Sequence, residues 1–280
     1  MNTIDDKMMF INSQLKKIEE IINDETPAKL NSSFRAGVDL GTSDVVVIVI
    51  DEDDNIAAAF MEWADVVKDG VVLDYWKAVQ IVKSLINKAE KKCGIKINSV
   101  NTSYPPGTDP YISINVIKAA GLEVKDIVDE PSSFAALLNL DNGAVVDIGG
   151  GTTGISVVQN KSIVYTGDEP TGGHHLTLTI AGNQKVSFDD AEIMKRNDVK
   201  GDLKSIVIPV FEKMTDIVKN HIADFKIDKI FLTGGTCCFP GIDNVFKEIF
   251  TGKDIILPYN PLYSTPLAIT SYRNNNKNEN

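Results

Sequence analysis

One short unit occurs twice in this chain, and no other feature constrains the fold as tightly. Val38-Asp39-Leu40-Gly41-Thr42-Ser43 and Val146-Asp147-Ile148-Gly149-Gly150-Gly151-Thr152 each begin in an apolar β-rich run, reach an aspartate and turn on glycine and hydroxyl residues. The first enters through Ala36–Leu40 and leaves through Val45–Asp51; the second enters through Ala144–Ile148 and leaves through Ile155–Val158. A supersecondary unit recurring at long spacing is an internal repeat. It implies two lobes of similar architecture, over residues 34–142 and 143–270. Around both units β-rich runs alternate with stretches of helical period, so the class is α/β.

Further strands are expected over Ala57–Trp63, Val100–Ser103, Val124–Val128 and Lys229–Thr233. Helices are expected from Tyr75 to about Cys93 behind an Asp74 N-cap, from Pro110 to Gly121, through Leu138, and near Gly173–Ala181, Phe188–Arg196 and Leu203–Asp224. Residues 1–33 stand apart. Ile4, Met8, Ile11, Leu15, Ile18 and Ile22 fall on one helical stripe, Lys16, Lys17, Glu19 and Glu20 lie opposite, and Pro27 ends the run. The pattern predicts an amphipathic helix of about 20 residues, roughly 30 Å long. Such a stripe either packs on its own domain or docks a partner or shell surface; the sequence leaves both open. Residues 271–280 are polar and Asn-rich and are expected to form a disordered tail.

A tight glycine turn brings the backbone close to a ligand and aims several N–H groups into one concavity, which suits phosphate oxygens. One such turn is ordinary; two matched turns, each behind a buried aspartate, point to a shared polyphosphate. Asp39 and Asp147 would then face each other beside a large negative charge, which requires a divalent cation. Mg²⁺ keeps most of its waters, and aspartates hold it through them. The plainer alternative is that both aspartates cap turns. Leu232-Thr233-Gly234-Gly235-Thr236 joins a strand to a helix through a double glycine whose flat backbone suits a purine ring. A formal net charge of −11 argues against nucleic acid and against an anionic membrane surface. No apolar run is long enough to span a bilayer, and the first residues lack a secretory layout. Cys93, Cys237 and Cys238 make an odd count that fits a reducing cytosol. His174 and His175 are adjacent and diverge, and with only His221 besides, a zinc cage is not expected.

These motifs together resemble the superfamily of actin, sugar kinases and the seventy-kilodalton heat-shock chaperones. Asp39-Leu40-Gly41-Thr42-Ser43 is similar to its first phosphate motif and Asp147-Ile148-Gly149-Gly150-Gly151-Thr152-Thr153 to its second. The stretch 129–136 resembles the motif connecting the lobes, and 232–241 the adenosine motif. Gly172 and Gly173 stand where relatives place a glycine pair beside the phosphates, and Glu192 and Lys195 resemble the residues that touch ribose and base. The order of motifs over about 35 to 270 matches throughout. The short length, the segment 67–75 and the leading helix resemble the ethanolamine-utilisation J family, described as chaperone-like and belonging to bacterial microcompartment pathways.

The resemblance implies an actin-like ATPase fold of duplicated ribonuclease-H-like lobes with a central nucleotide cleft. It implies ATP or ADP with Mg²⁺ as ligands and a bacterial cytoplasmic setting associated with microcompartments. Asp39 and Asp147 would position Mg²⁺ through water. Gly41, Thr42 and Ser43 would cradle phosphates from one side, with Gly149, Gly150, Gly151 and Thr152 on the other. Glu130 would orient or activate the attacking water, although directly before Pro131 it could simply complement a helix dipole. Glu192 and Lys195 would hold the ribose, though Lys195 also reads as an ordinary solvated lysine, and Gly234, Gly235 and Thr236 would border adenine. The chaperones' peptide-binding domain has no counterpart after the last motif, and their extra phosphate-contacting lysine has none either. Two functions follow as expectations: an ATP-hydrolysing, chaperone-like factor for microcompartment enzymes or shell, or a nucleotide-stabilised scaffold or actin-like assembly protein with little turnover. Homo-oligomerisation stays open.

Overall fold

A computed structural model of the chain describes residues 3–28, 30, 33–64, 67–68, 71–72 and 74–274. Of the expected tail 271–280, Ser271 still belongs to the last helix and the Tyr272 carbonyl accepts from Asn101, while residues from 275 onward lie outside the described residues, as do parts of the 67–75 segment.

The chain opens with α1 (Ile4–Ile21), then β1 (Phe34–Leu40), β2 (Asp44–Asp51) and β3 (Ile56–Trp63). A two-residue ribbon of β4 (Val67–Lys68) and β5 (Val71–Val72) leads to α2 (Tyr75–Cys93), β6 (Ser99–Tyr104), α3 (Tyr111–Ala119) and β7 (Glu123–Asp129). Helix α4 (Glu130–Leu138) crosses to β8 (Gly143–Ile148), β9 (Thr153–Gln159) and β10 (Ser162–Glu169). Then come α5 (Gly173–Gln184), α6 (Phe188–Asn197), α7 (Lys204–Ile222), β11 (Lys229–Thr233), α8 (Ile242–Ile249), β12 (Asp254–Ile256) and α9 (Ser264–Ser271).

The internal repeat is realised strand for strand. One five-stranded sheet runs β3-β2-β1-β6-β7 and the other β10-β9-β8-β11-β12. In each, the first three strands form an antiparallel meander and the last two join it in parallel. Sequence reading misses β10 and β12. Ser162–Glu169 is an edge strand with polar and exposed positions, and its pairing with β9 shifts register between Ile163 and Tyr165, so neither a period-two pattern nor a continuous apolar run marks it. Three residues are too few to carry a pattern in β12.

Both sheets are covered on both faces. Val45, Val47 and Val49 point from β2 into a core with α2, while the alternate residues Val46, Ile48 and Ile50 enter a second core. A strand buried on both sides is a continuous apolar run, which is how β2 reads. The second sheet sends Ala144, Val146 and Ile148 outward toward α5, α7 and α8. The middle core also gathers Phe134 and Leu138 of α4, Val145, Phe231, and Leu267 and Ala268 of α9. The two sheets therefore share one apolar layer of helices between them.

α1 belongs to that layer. Thr3 caps it, accepting from Asp6 N at 3.1 Å, and Ile11, Leu15 and Ile18 are fully buried. At its C-terminal end Ile22 bridges Ala59 in parallel, and Asn23 Oδ1 accepts from Met61 N at 2.9 Å, so the helix tail covers the open edge of β3. Packing on the protein's own core is the alternative the structure realises for this stripe. Met8, Ile11, Leu15 and Ile18 are buried in that core, with Ile4 and Ile22 partly so. Ile18→Ala is expected to lower stability by about 2–5 kcal/mol, the usual cost of truncating a buried isoleucine or leucine. Urea denaturation measures it, and an unchanged midpoint would place the stripe outside the core.

Candidate functional site

Strand alternation decides where the two aspartates point. Val38 and Leu40 face α2, so Asp39 between them faces the opposite way, toward the space between the lobes. Val146 and Ile148 face the outer core of the second lobe, so Asp147 also faces inward. Each carboxylate is met by a hydroxyl from the neighbouring parallel strand: Ser103 Oγ donates to Asp39 Oδ1 at 3.2 Å, and Thr233 Oγ1 donates to Asp147 Oδ2 at 3.0 Å. Thr265, just inside α9, donates to Asp147 as well. The duplication thus extends to the side chains holding the acids.

The inward ends of the strands enclose a cavity of about 440 Å³, within the range of roughly 300–1,000 Å³ usual for small-ligand sites. Asp39, Gly41, Thr42, Ser43, Glu130, Asp147, Gly149, Gly150, Thr152, Glu192, Lys195, Gly234, Gly235 and Thr236 all contribute to its wall. The two turns approach one another, since Ser43 Oγ lies 3.3 Å from His174 Nε2 and directly over Gly150.

Gly151, Gly172 and Gly173 stand outside the wall. Gly173 N and His174 N donate to the carbonyls of Gly149 and Gly150 at 2.9 and 2.8 Å, so the start of α5 buttresses the second turn from behind. A Cβ on Gly172 would sit 2.7 Å from both carbonyl oxygens, so only glycine allows this approach. Gly234, at φ +89°, leaves no room for a Cβ either, because Asp147 Oδ1 would be 2.5 Å away. The missing Cβ lets the turn after β11 lie against the aspartate strand.

Glu192 and Lys195 form a fixed pair. Lys195 Nζ donates to Glu192 Oε2 at 2.7 Å, Thr177 Oγ1 at 2.9 Å and the Gly173 carbonyl at 3.1 Å. Burial pushes the Glu192 carboxyl up, but Lys195, Thr177 and Arg196 together hold it below its ordinary value. Lys195 is therefore not a solvated surface lysine. Glu130 opens α4 behind the Asp129 N-cap, whose carboxylate accepts from Ser132 N at 3.0 Å, and this puts Glu130 where the chain crosses between lobes.

The electrostatics of the cavity are dominated by acids. Burial pushes Asp39 up to about 8, with Asp44 and Asp147 adding repulsion and the Ser103 hydroxyl opposing. Asp44 rises to about 7 through burial, with Arg196 opposing and Asp147 adding. Burial raises Glu130 well above its usual range, helped by Asp147 and Asp39. Asp147 also rises through burial, restrained by Thr265 and Thr233. Converging carboxylates of this kind are the chemistry a hydrated divalent cation neutralises, so the residues fit Mg²⁺. Among the described residues no three His, Cys, Asp or Glu side chains are grouped to ligate a metal directly.

Sequence reading misses Asp44, Trp63, Arg196, Asn260 and Thr265, which also line the cavity. Asp44 directly follows the first turn and was within reach of motif reasoning. Trp63 arrives from β3, Asn260 from the approach to α9 and Thr265 from α9 itself, and nothing local marks them.

Known proteins share this fold. Family models described as type IV pilus assembly protein PilM and as MreB/Mbl protein match residues 135–265 and 57–189. The chain is 48% identical over 247 residues to the ethanolamine utilization protein EutJ of Escherichia coli K12, covering 88% of each. The crystal structure of EutJ from Carboxydothermus hydrogenoformans superposes with a TM-score of 0.88 at 40% identity, over 94% of this chain and 98% of that one. MreB5 of Spiroplasma citri bound to AMPPNP superposes with a TM-score of 0.69 at 17% identity, over 85% and 95%. Fold and site together define an actin-like ATPase architecture, two equivalent lobes closing on one cleft. Within that class the chain belongs to the ethanolamine utilization protein EutJ family.

The raised acids carry a pH signature. A carboxyl whose folded pKa exceeds its unfolded value binds more protons when folded, so stability falls as pH rises between the two values. Without added metal, stability is expected to decline from the ordinary carboxylate range near pH 4 up to about pH 8. Asp39→Asn is expected to flatten that slope, and Mg²⁺ to shift the balance toward the ionised forms. Thermal melts at stepped pH test this; a slope identical in the variant would remove Asp39 from the account.

Proposed function

We propose that the cavity binds an adenine nucleotide with Mg²⁺ and that the bound nucleotide sets the relative position of the lobes. The carrying observation is the pair of equivalent aspartates, each steadied by a hydroxyl of its neighbouring strand and both facing one glycine-walled cavity. Asp39 and Asp147 would hold Mg²⁺ through its waters, and the cation would neutralise phosphate charge there. The backbone N–H groups of Gly41–Ser43 and Gly149–Thr152 would cradle the phosphates, with Asp39 and Asp147 orienting the cation's waters. Gly234, Gly235 and Thr236 would border the base, and the Glu192–Lys195 pair the ribose. That MreB5, a protein of the same fold, is seen with AMPPNP supports the choice of ligand.

Glu130 would orient a water and accept its proton; burial with Asp147 and Asp39 raises its carboxyl, so the base role depends on a bound cation offsetting those neighbouring charges. Hydrolysis at such a site depends on positioning and charge stabilisation. Lobe movement on hydrolysis would act on an ethanolamine-utilisation enzyme or shell protein as a chaperone-like factor. A second reading, a nucleotide-stabilised scaffold with little turnover, draws on one observation. Lys195 and Arg196, the cations lining the cavity among the described residues, both pair with Glu192. Little cationic help is then left for a developing phosphate charge.

Calorimetry with Mg·ADP and Mg·AMPPNP is expected to show one site per chain, and no uptake would sink both readings. Steady-state phosphate release is expected to fall about 10²–10⁴-fold in Glu130→Gln, with nucleotide affinity nearly unchanged, if Glu130 serves as base. Tight binding with negligible release in the unmodified protein selects the scaffold.

A further inference from the structure

Trp63 takes no part in the mechanism above and Arg196 enters it only as a partner of Glu192, yet the two meet across the cleft. Trp63 ends β3 in the first lobe and Arg196 lies on α6 in the second. The guanidinium carbon stands 3.8 Å from the Trp63 ring centroid, and both side chains contribute to the cavity wall. Trp63 is the register partner of Asp44 on β2, so ring and carboxyl are cross-strand neighbours on one face. The Arg196 charge acts on that carboxyl, opposing the burial that raises it. On its own helix the guanidinium is fixed by Glu192, whose Oε1 accepts from Nε at 2.7 Å. Arg196 is therefore bound by its own lobe and docked on a receptor of aromatic face and carboxyl in the other.

The two sides of the molecule differ in what resists lobe separation. The middle layer of α1, α4 and α9 is apolar, continuous and closed. Across the cavity the lobes meet through polar or half-exposed groups: Ser43 with His174, and Arg196 with Trp63, which is 49% exposed. An apolar layer at one end and a stacked cation at the other describe a hinge and a fastening. We propose that Arg196 and the Trp63–Asp44 pair form a clasp that holds the cleft shut and limits the rate at which a ligand enters and leaves it. The clasp is a property of the chain alone; its effect on nucleotide exchange rests on the nucleotide reading above.

The test uses the full chain with Trp63→Ala, Trp63→Phe and Arg196→Lys, each checked for folding by circular dichroism. Hydrogen exchange of the turns at 40–44 and 148–152, without nucleotide, reports opening. Stopped-flow with a fluorescent ADP reports entry and exit. The clasp predicts faster exchange in both turns for Trp63→Ala. It also predicts that association and dissociation rates both rise by about two- to thirty-fold, the range a cation–π contact spans. Trp63→Phe, which keeps a weaker ring, should fall between, and Arg196→Lys should resemble Trp63→Ala despite retaining its charge. Unchanged turn protection in a folded Trp63→Ala protein overturns the clasp, as do unchanged rates in a protein that binds the probe. Should Trp63→Ala fail to fold, the other two variants decide by the same criteria. If no variant binds the probe, turn protection alone judges the clasp, and it is the nucleotide reading that has failed.

Discussion

The burial of four carboxyls, Asp39, Asp44, Glu130 and Asp147, around one cavity is the constraint on which the rest of the site depends. Carboxyls this close cannot all ionise in a water-poor space without a cation, and every one of them is raised by burial. The lobes meet through α1, α4 and α9 at one side, and the cavity opens where β1 and β8 end. It lies beyond the carboxyl ends of the central strands, where open α/β sheets characteristically bind ligands.

Two helices make the separation compatible with one stable body. α4 carries the chain out of the first lobe and α9 carries it back. The return is tight: a Cβ on Gly37 of β1 would stand 2.2 Å from Thr270 Oγ1 of α9. Buried Asn101 on β6 donates to the carbonyls of Ile269 and Tyr272 at 3.0 and 2.9 Å, satisfying the end of α9 inside the first lobe. α1 completes the layer and reaches the far lobe as well, where Glu19 accepts from Tyr259 Oη and Asn260 Nδ2 at 2.6 and 3.0 Å. Asn260 also lines the cavity, so the leading helix is tied to its floor. The lobes are equivalent in strand order but not in their edges: β3 is covered by the tail of α1, whereas β10 ends its sheet.

Much of this was legible in the residues. The repeated turn announces the duplicated lobes, and the parity of Val38-Asp39-Leu40 and Val146-Asp147-Ile148 already requires each aspartate to oppose its apolar neighbours. α2 runs over Tyr75–Cys93 as its N-cap and apolar spacing predict. Helical period likewise marks α1, but amphipathicity says only that a face will be buried, not against what. The glycine pair 172–173 shows the same limit. Its position in the motif order suggests the ligand, while its hydrogen bonds place it behind the turn that would touch the ligand.

Local pattern by itself determined the elements, the repeat and the acids, because period, turn chemistry and residue type act over a few neighbours along the chain. Tertiary structure alone decided which hydroxyls steady those acids, which helix fills the middle layer and which aromatic meets Arg196. Those contacts join residues far apart in sequence: Ser103 to Asp39, Thr265 to Asp147, Arg196 to Trp63. The first two require a whole lobe to be assembled and the third requires both lobes to be positioned at once, and no short stretch of chain carries that information.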